Sequence, residues 1–218
     1  MRGEERAVVI GVATEPGLAL EGLFVAGRAA AAGGALVAAP HPLYGGSMDS
    51  PVVNELAHAF ARAGRASLRF NWRGVGASSG APSGRAEDAD ADTAAALAEL
   101  AASVPGPLAV AGYSFGAAAA LRVGARAPRV TRLLLVAPPP ALLDAAALAA
   151  FAGHTLLVAA EEDSIAPPEE LAARIAQAPR ARLVRIEEAD HFFQRGLAAL
   201  ARAAAEWIAK PVAGEPAD

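Results

Sequence analysis

The chain has 218 residues, a formal net charge of −4 and 54% hydrophobic residues, many of them Ala. A mildly acidic chain without a Lys/Arg cluster is poorly suited to nucleic acid or to an anionic membrane surface, and neither is expected as a partner. The absence of Cys excludes disulfides, thiolate metal sites and a Cys nucleophile.

In chain order, Ala7 to Ala13 and Leu18 to Ala26 read as strands of an antiparallel hairpin joined by Thr14-Glu15-Pro16-Gly17, with Pro-Gly as the turn signal. Gly34 to Ala39 is wholly apolar, the pattern of a parallel strand buried on both faces. It runs into Pro40-His41-Pro42-Leu43-Tyr44-Gly45-Gly46-Ser47. Ser50-Pro51 reads as an N-cap with Pro at the first helical position, followed by a helix over Val52 to Ala63 that Gly64 stops.

Ala66 to Asn71 is the next strand, and a Gly/Ser-rich loop from Trp72 to Gly80 follows it. Ala86 to Ala102 is a helix with Glu87, Asp88, Asp90 and Asp92 near its start, where the helix dipole favours them. Pro105-Gly106-Pro107 breaks the chain before the strand Leu108 to Tyr113, and a helix follows over Ala117 to Arg126. Thr131 to Ala137 is strand, Leu142 to Phe151 a short helix, His154 to Ala160 strand, Pro167 to Gln177 helix, Ala181 to Ile186 the last strand and Leu197 to Ala209 the terminal helix.

Strands alternating with helices predict an α/β fold: a mostly parallel twisted sheet of about eight strands with helices on both faces. One domain over residues 1–210 and a short flexible tail over 211–218 are expected. No apolar run reaches the length of a membrane span, and the start lacks the pattern of a signal peptide, so a soluble cytoplasmic protein is expected.

Functional sites in such sheets form at the C-terminal ends of the strands. Gly112-Tyr113-Ser114-Phe115-Gly116 is a Gly-x-Ser-x-Gly sequence at one of those ends, between strand and helix. A serine hydroxyl is a weak nucleophile unless a base takes its proton and a third group orients that base. His191 follows the last strand, and Asp163 follows the strand before the penultimate helix. Ser114, Asp163, His191 is the chain order of a triad on this architecture. Glu162 is the alternative acid, since Glu161, Glu162 and Asp163 are adjacent.

The chain resembles the α/β-hydrolase family, and within it the small lid-poor bacterial hydrolases with a His-Pro-Leu-Tyr/Phe-Gly-Gly stretch after the third strand. The residues that carry this are His41-Pro42-Leu43-Tyr44-Gly45-Gly46, Arg69 to Gly76, Gly112 to Gly116 and Asp190-His191-Phe192-Phe193. One departure is visible: relatives often read His-Pro-His-Pro, and Ala39 stands in place of the first His. The resemblance implies that Ser114 attacks an acyl carbon, that His191 moves the proton and that Asp163 fixes the imidazole. It also implies an oxyanion hole of two backbone N–H groups, one from Phe115 and one from the loop after the third strand. Pro42 has no N–H, so Leu43 is the donor there, with Tyr44 in reserve.

No His/Asp/Glu set has metal-ligand spacing, so no metal or cofactor is expected. Arg73 reads as an anchor for its loop, on Asp88 or Asp92, and His58 and His154 as structural or exposed. His41 holds the oxyanion loop or lines the pocket. Only Pro138 to Gly153 stands where many relatives insert a cap, so the cap is minimal and the site open. His41, Tyr44, Tyr113, Ile165 and Phe192 are candidate substrate-binding residues, and Leu142 and Leu143 further walls. The expected activity is hydrolysis of small carboxylic esters or thioesters through an acyl-enzyme. The alternatives are a non-catalytic binding protein of the same fold, or the same triad used for amide hydrolysis, acyl transfer or perhydrolysis. The sequence leaves the oligomeric state open.

Overall fold

The computed structural model describes residues 4–28 and 33–210. The expected tail over 211–218 lies outside the described residues. Eight strands form one sheet in the order β1-β2-β4-β3-β5-β6-β7-β8. They are β1 (Glu5–Gly11), β2 (Ala19–Val25), β3 (Gly34–Ala38), β4 (Ala66–Phe70), β5 (Leu108–Tyr113), β6 (Val130–Val136), β7 (His154–Ala160) and β8 (Ala181–Ile186). The helices are α1 (Pro51–Arg62), α2 (Ala86–Ser103), α3 (Phe115–Gly124), α4 (Ala145–Ala150), α5 (Pro168–Ile175) and α6 (Leu197–Ile208). β1 and β2 form the antiparallel hairpin, β2 joins β4 antiparallel, and the other pairings are parallel.

The path of the chain decides where the helices go. From β3 it steps through α1 to β4 on one side, then returns through α2, past β3, to β5 and continues in that direction to β8. Right-handed crossovers in opposite directions put their helices on opposite faces. Thus α1 packs with α6 on one face, and α2, α3, α4 and α5 form a chain of contacts on the other. The reversal lies between β3 and β5, and a crevice opens at such a point beyond the strand ends. The loop carrying His41 and the turn carrying Ser114 flank it.

β3, β4 and β5 are buried at every residue, as central strands covered on both faces are, although β4 carries Ser67 and Arg69 among them, whereas β1 and β8 at the edges are largely exposed or half-buried. Arg132 on β6 is buried yet satisfied. Its guanidinium donates to the carbonyls of Trp207 and Lys210 and lies 5.3 Å from the Trp207 ring centre, which fastens the end of α6 to the sheet.

Some local expectations shift. Ser50 stands at the N-cap position of α1, but its side chain makes no capping bond, and the start rests on Pro51. α3 begins at Phe115 rather than Ala117, because Ser114 itself is the turn. The helix expected over Leu142 to Phe151 is split. A single 3₁₀ turn covers Pro140–Leu142, and then Asp144 caps α4 by accepting from Ala147 N–H at 2.9 Å. No further element separates β6 from β7, so among the described residues that connection supplies nothing of cap size.

Candidate active site

Ser114 has φ 55° and ψ −119°, a conformation that costs a non-glycine residue on the order of 1–3 kcal/mol and persists only where surroundings impose it. Its N–H donates to Val136 O at 2.8 Å, and its carbonyl accepts from Ala117 N–H at 3.0 Å. The two glycines of the motif serve close approach. A Cβ on Gly112 would overlap the Gly116 carbonyl, and one on Gly116 would overlap the carbonyl of Ala39 at the end of β3. Neither glycine has positive φ. Gly-x-Ser-x-Gly thus packs the strand, the turn and β3 closely enough to hold the serine at the apex of the turn.

Ser114 Oγ lies 3.0 Å from His191 Nε2, and His191 Nδ1 lies 2.7 Å from Asp163 Oδ2. The other carboxylate oxygen, Oδ1, accepts from the N–H groups of Ile165 and Ala166, both at 2.8 Å. Burial raises the Asp163 carboxyl. The His191 hydrogen bond, the Ala166 N–H, the His191 charge and the Ile165 N–H outweigh it and hold the carboxyl below its ordinary value. Glu162 turns away: its side chain is exposed and lies 3.8 Å from Arg195.

The loop after β3 differs from expectation in one respect. His41 caps a 3₁₀ turn over Pro42–Tyr44, with its Nδ1 accepting from the Leu43 N–H at 3.2 Å. The Tyr44 N–H donates to His41 O at 3.1 Å. Both N–H groups considered as oxyanion donors are therefore engaged within the loop. Phe115 is the first residue of α3, so its N–H has no intrahelical acceptor. The His41 ring lies 4.6 Å from that of Phe115 and 4.7 Å from that of Tyr44, and Gly84 packs on its Cε1–Nε2 edge. Burial lowers the His41 imidazole below its ordinary value, in keeping with a neutral ring that accepts at Nδ1.

The apolar residues fall into two groups. Leu43, Tyr44, Leu142, Ile165 and Phe192 are exposed, and they sit on the loops after β3, β6, β7 and β8. Phe192 meets the His191 ring edge-on at 5.6 Å. Leu143 is buried, and Tyr113, expected to line the pocket, is only 4% exposed. Its hydroxyl is spent on the main chain, donating to His191 O at 2.7 Å.

Supports that the sequence does not signal lie behind the loops. Trp72 Nε1 donates to Ala39 O at 3.2 Å and Pro40 O at 2.9 Å, bracing the start of the His41 loop from beneath. Asn71 accepts from the Met48 N–H and donates to Glu21, tying the end of that loop to β2. Among the described residues no group of three or more His, Asp or Glu could hold a metal ion, and no helix is long and apolar enough to cross a membrane.

A family model described as serine aminopeptidase, S33 matches residues 43–150. That match includes Ser114 and stops short of Asp163 and His191. An uncharacterized protein of Rickettsia prowazekii is 38% identical over 105 residues, 47% of this chain and 43% of its own length, so the chain spans under half of that relative. Solved structures match far more of the chain. A protein of unknown function from Agrobacterium tumefaciens superposes with a TM-score of 0.84 at 27% identity, over 93% of this chain and 94% of its own. An α/β serine hydrolase without a lid from Xanthomonas campestris gives 0.80 at 27% identity over 97% and 99%. An α/β serine hydrolase homologue from Coxiella burnetii gives 0.79 at 27% identity over 96% and 99%. By its fold and these likenesses, the chain belongs to the α/β-hydrolase superfamily.

Proposed function

We propose that the protein is a serine hydrolase that cleaves small carboxylic esters or thioesters through an acyl-enzyme. The observation that carries this is the unbroken line Ser114 Oγ, His191 Nε2, His191 Nδ1, Asp163 Oδ2, with separations of 3.0 and 2.7 Å at its two gaps. In this reading Ser114 Oγ attacks the acyl carbon while its proton passes to His191 Nε2. Asp163 keeps the other imidazole proton on Nδ1 and stabilises the imidazolium. The carbonyl oxygen becomes an oxyanion that the Phe115 N–H receives at the start of α3. Leu43 serves as the second donor once its N–H turns from His41 Nδ1 to the oxyanion. The Nε2 proton then goes to the leaving alcohol or thiol as the tetrahedral centre collapses. Water repeats the sequence to free the acid and restore Ser114.

The open strand ends support a small or protruding acyl group rather than one enclosed by a lid. The test is labelling of the folded protein by a fluorophosphonate together with turnover of short p-nitrophenyl esters and acyl thioesters. Ser114→Ala should abolish labelling and lower turnover by about 10⁶-fold, to the floor left by binding and the N–H donors. Unchanged turnover in that variant rejects the reading.

The match to the serine aminopeptidase model favours one second reading, amide hydrolysis by the same residues. Aminoacyl p-nitroanilides added to the panel separate the two, because Ser114→Ala removes either activity and only the preferred leaving group differs.

A further inference from the structure

We propose that Tyr113 is a positioning residue for this chemistry: its hydroxyl holds the main chain of His191 so that the imidazole stays within reach of Ser114. The inference rests on the serine-hydrolase reading above and adds a role for a residue that touches no substrate.

Ser114 lies at the end of β5, and His191 lies in the loop after β8, three strand positions away in the sheet. At the usual strand spacing that is about 14 Å. The segment from Glu187 to Gly196 has to reach back across the ends of β7 and β6 to bring an imidazole to the serine. Its backbone ties lead elsewhere. The Glu162 N–H donates to Ala189 O at 2.9 Å, joining the loop to the chain just past β7, and the Glu161 N–H donates to Ile186 O at 3.0 Å, holding the last residue of β8 on the same side. The Phe193 N–H closes on Asp190 O at 3.1 Å within the loop itself. Glu188 and Phe193 have φ of 53° and 52°, so two sharp changes of direction shape this path. The Asp163 bond to His191 also comes from the β7 side.

Tyr113 supplies the tie to β5. It immediately precedes Ser114, and its hydroxyl donates to the carbonyl of His191 itself at 2.7 Å. One buried side chain thus joins the residue next to the nucleophile to the main chain of the base. Its ring lies 5.7 Å from the imidazole and edge-on to Phe193 at 6.3 Å, which fixes the direction of the hydroxyl. Burial raises the phenol, with the charges of Asp163 and Asp190 adding to it, so the group remains a protonated donor.

Tyr113→Phe keeps the ring and removes the donor. We expect kcat for p-nitrophenyl acetate to fall by about 10- to 100-fold with KM within about threefold, because the loss is in alignment and not in substrate contact. Fluorophosphonate labelling should slow by a similar factor, since it uses the same Ser114–His191 pair. Titration of reactive serines counts only folded, competent molecules, so kcat per titrated site reads alignment even in a preparation that folds poorly. Placing 4-aminophenylalanine at 113 keeps both ring and donor and should bring kcat back to within about threefold of the parent protein. A kcat in Tyr113→Phe within twofold of the parent would overturn the proposal whether or not the melting temperature drops, and so would a 4-aminophenylalanine protein as slow as the Phe variant. Ser114→Ala separates the two ideas. If it retains turnover, the hydrolase reading fails; if it is inactive while Tyr113→Phe is fully active, only the role of Tyr113 fails.

Discussion

Arg73 clasps Asp92 of α2 through Nε at 3.1 Å and Nη2 at 2.8 Å, and its own backbone N–H adds a third bond to that carboxylate at 3.0 Å. Both residues are buried, and Nη1 carries Asp88 at 3.0 Å and Glu15 at 2.8 Å. One guanidinium therefore joins the loop after β4, the start of α2 and the turn of the β1–β2 hairpin. Breaking a buried pair by removing one partner is more damaging than the pair is stabilising, because a desolvated charge is left behind. Asp92→Ala should lower the unfolding free energy by about 3 kcal/mol, measured by urea denaturation. A change under about 1 kcal/mol would show that Asp88 and Glu15 suffice.

That clasp was legible in the sequence as a loop anchor on one of two acids, and the structure uses both. The reason is general. Strand periodicity, Gly/Pro punctuation and acidic helix starts are local signals, so the strands and the placing of Ser114, Asp163 and His191 at their ends follow from pattern, whereas the switch between β3 and β5 is a matter of strand order that no local signal carries. Side-chain contacts between distant segments carry no such signal. Nothing in the sequence aims the Trp72 indole at the carbonyls of Ala39 and Pro40, or the Tyr113 hydroxyl at His191 O. Tyr113 and Leu43 show the cost. A tyrosine beside the serine of a Gly-x-Ser-x-Gly turn reads as a pocket wall and is buried, with its hydroxyl on His191 O. A residue with a free N–H on paper has that N–H engaged by His41 Nδ1.

Asp163 offers a test of tautomer control. Its Oδ1 is committed to two backbone N–H groups and its Oδ2 to the imidazole. In Asp163→Asn the amide oxygen stays with the backbone donors, so the NH₂ faces His191 Nδ1. The ring must then accept at Nδ1 and carry its proton on Nε2, where it cannot take one from Ser114. A loss of about 10⁴ in kcat is expected, with the fold kept. Glu162→Gln, whose side chain faces Arg195 instead, should retain full activity. The same carboxyl sets an acid limit. Its native value lies below the ordinary 3.8, so its stabilising contribution is complete above that value and is lost as pH falls through the lower native one. The melting-temperature gap between the parent protein and Asp163→Asn should narrow on acidification below about pH 4.

His41 should leave a separate mark nearer neutrality. The unfolded chain takes up its proton at the ordinary imidazole value of 6.5, whereas burial keeps the folded ring neutral to lower pH. The unfolded state then binds more protons, so stability falls as pH drops through about 6.5 and levels off below the native value. Protonation also removes Nδ1 as acceptor for the Leu43 N–H. His41→Asn places a non-titrating oxygen near the same position and should lack this step. Unfolding curves of both proteins between pH 5 and 8 check it, and parallel curves would remove His41 as the source.

The exposed apolar residues around the strand ends set the last expectation. Among the described residues the large exposed hydrophobics are Val9, Leu43, Tyr44, Leu142, Ile165 and Phe192, and all but Val9 sit in the connections that follow β3, β6, β7 and β8. For the hydrolase proposed above, these side chains are the ones we expect to meet an acyl chain. With no cap over it, an acyl chain would lie along this rim and gain only from the atoms it covers. A chain covering roughly 60 Å² on Phe192 gains about 1.5 kcal/mol, close to tenfold in kcat/KM. Phe192→Ser should therefore cost octanoyl esters about tenfold and acetyl esters little, with Tyr44→Ser acting in the same direction. A series of p-nitrophenyl esters of increasing acyl length reads this out. Equal losses at every length would place the acyl chain elsewhere and make Phe192 a shield for the His191 ring alone.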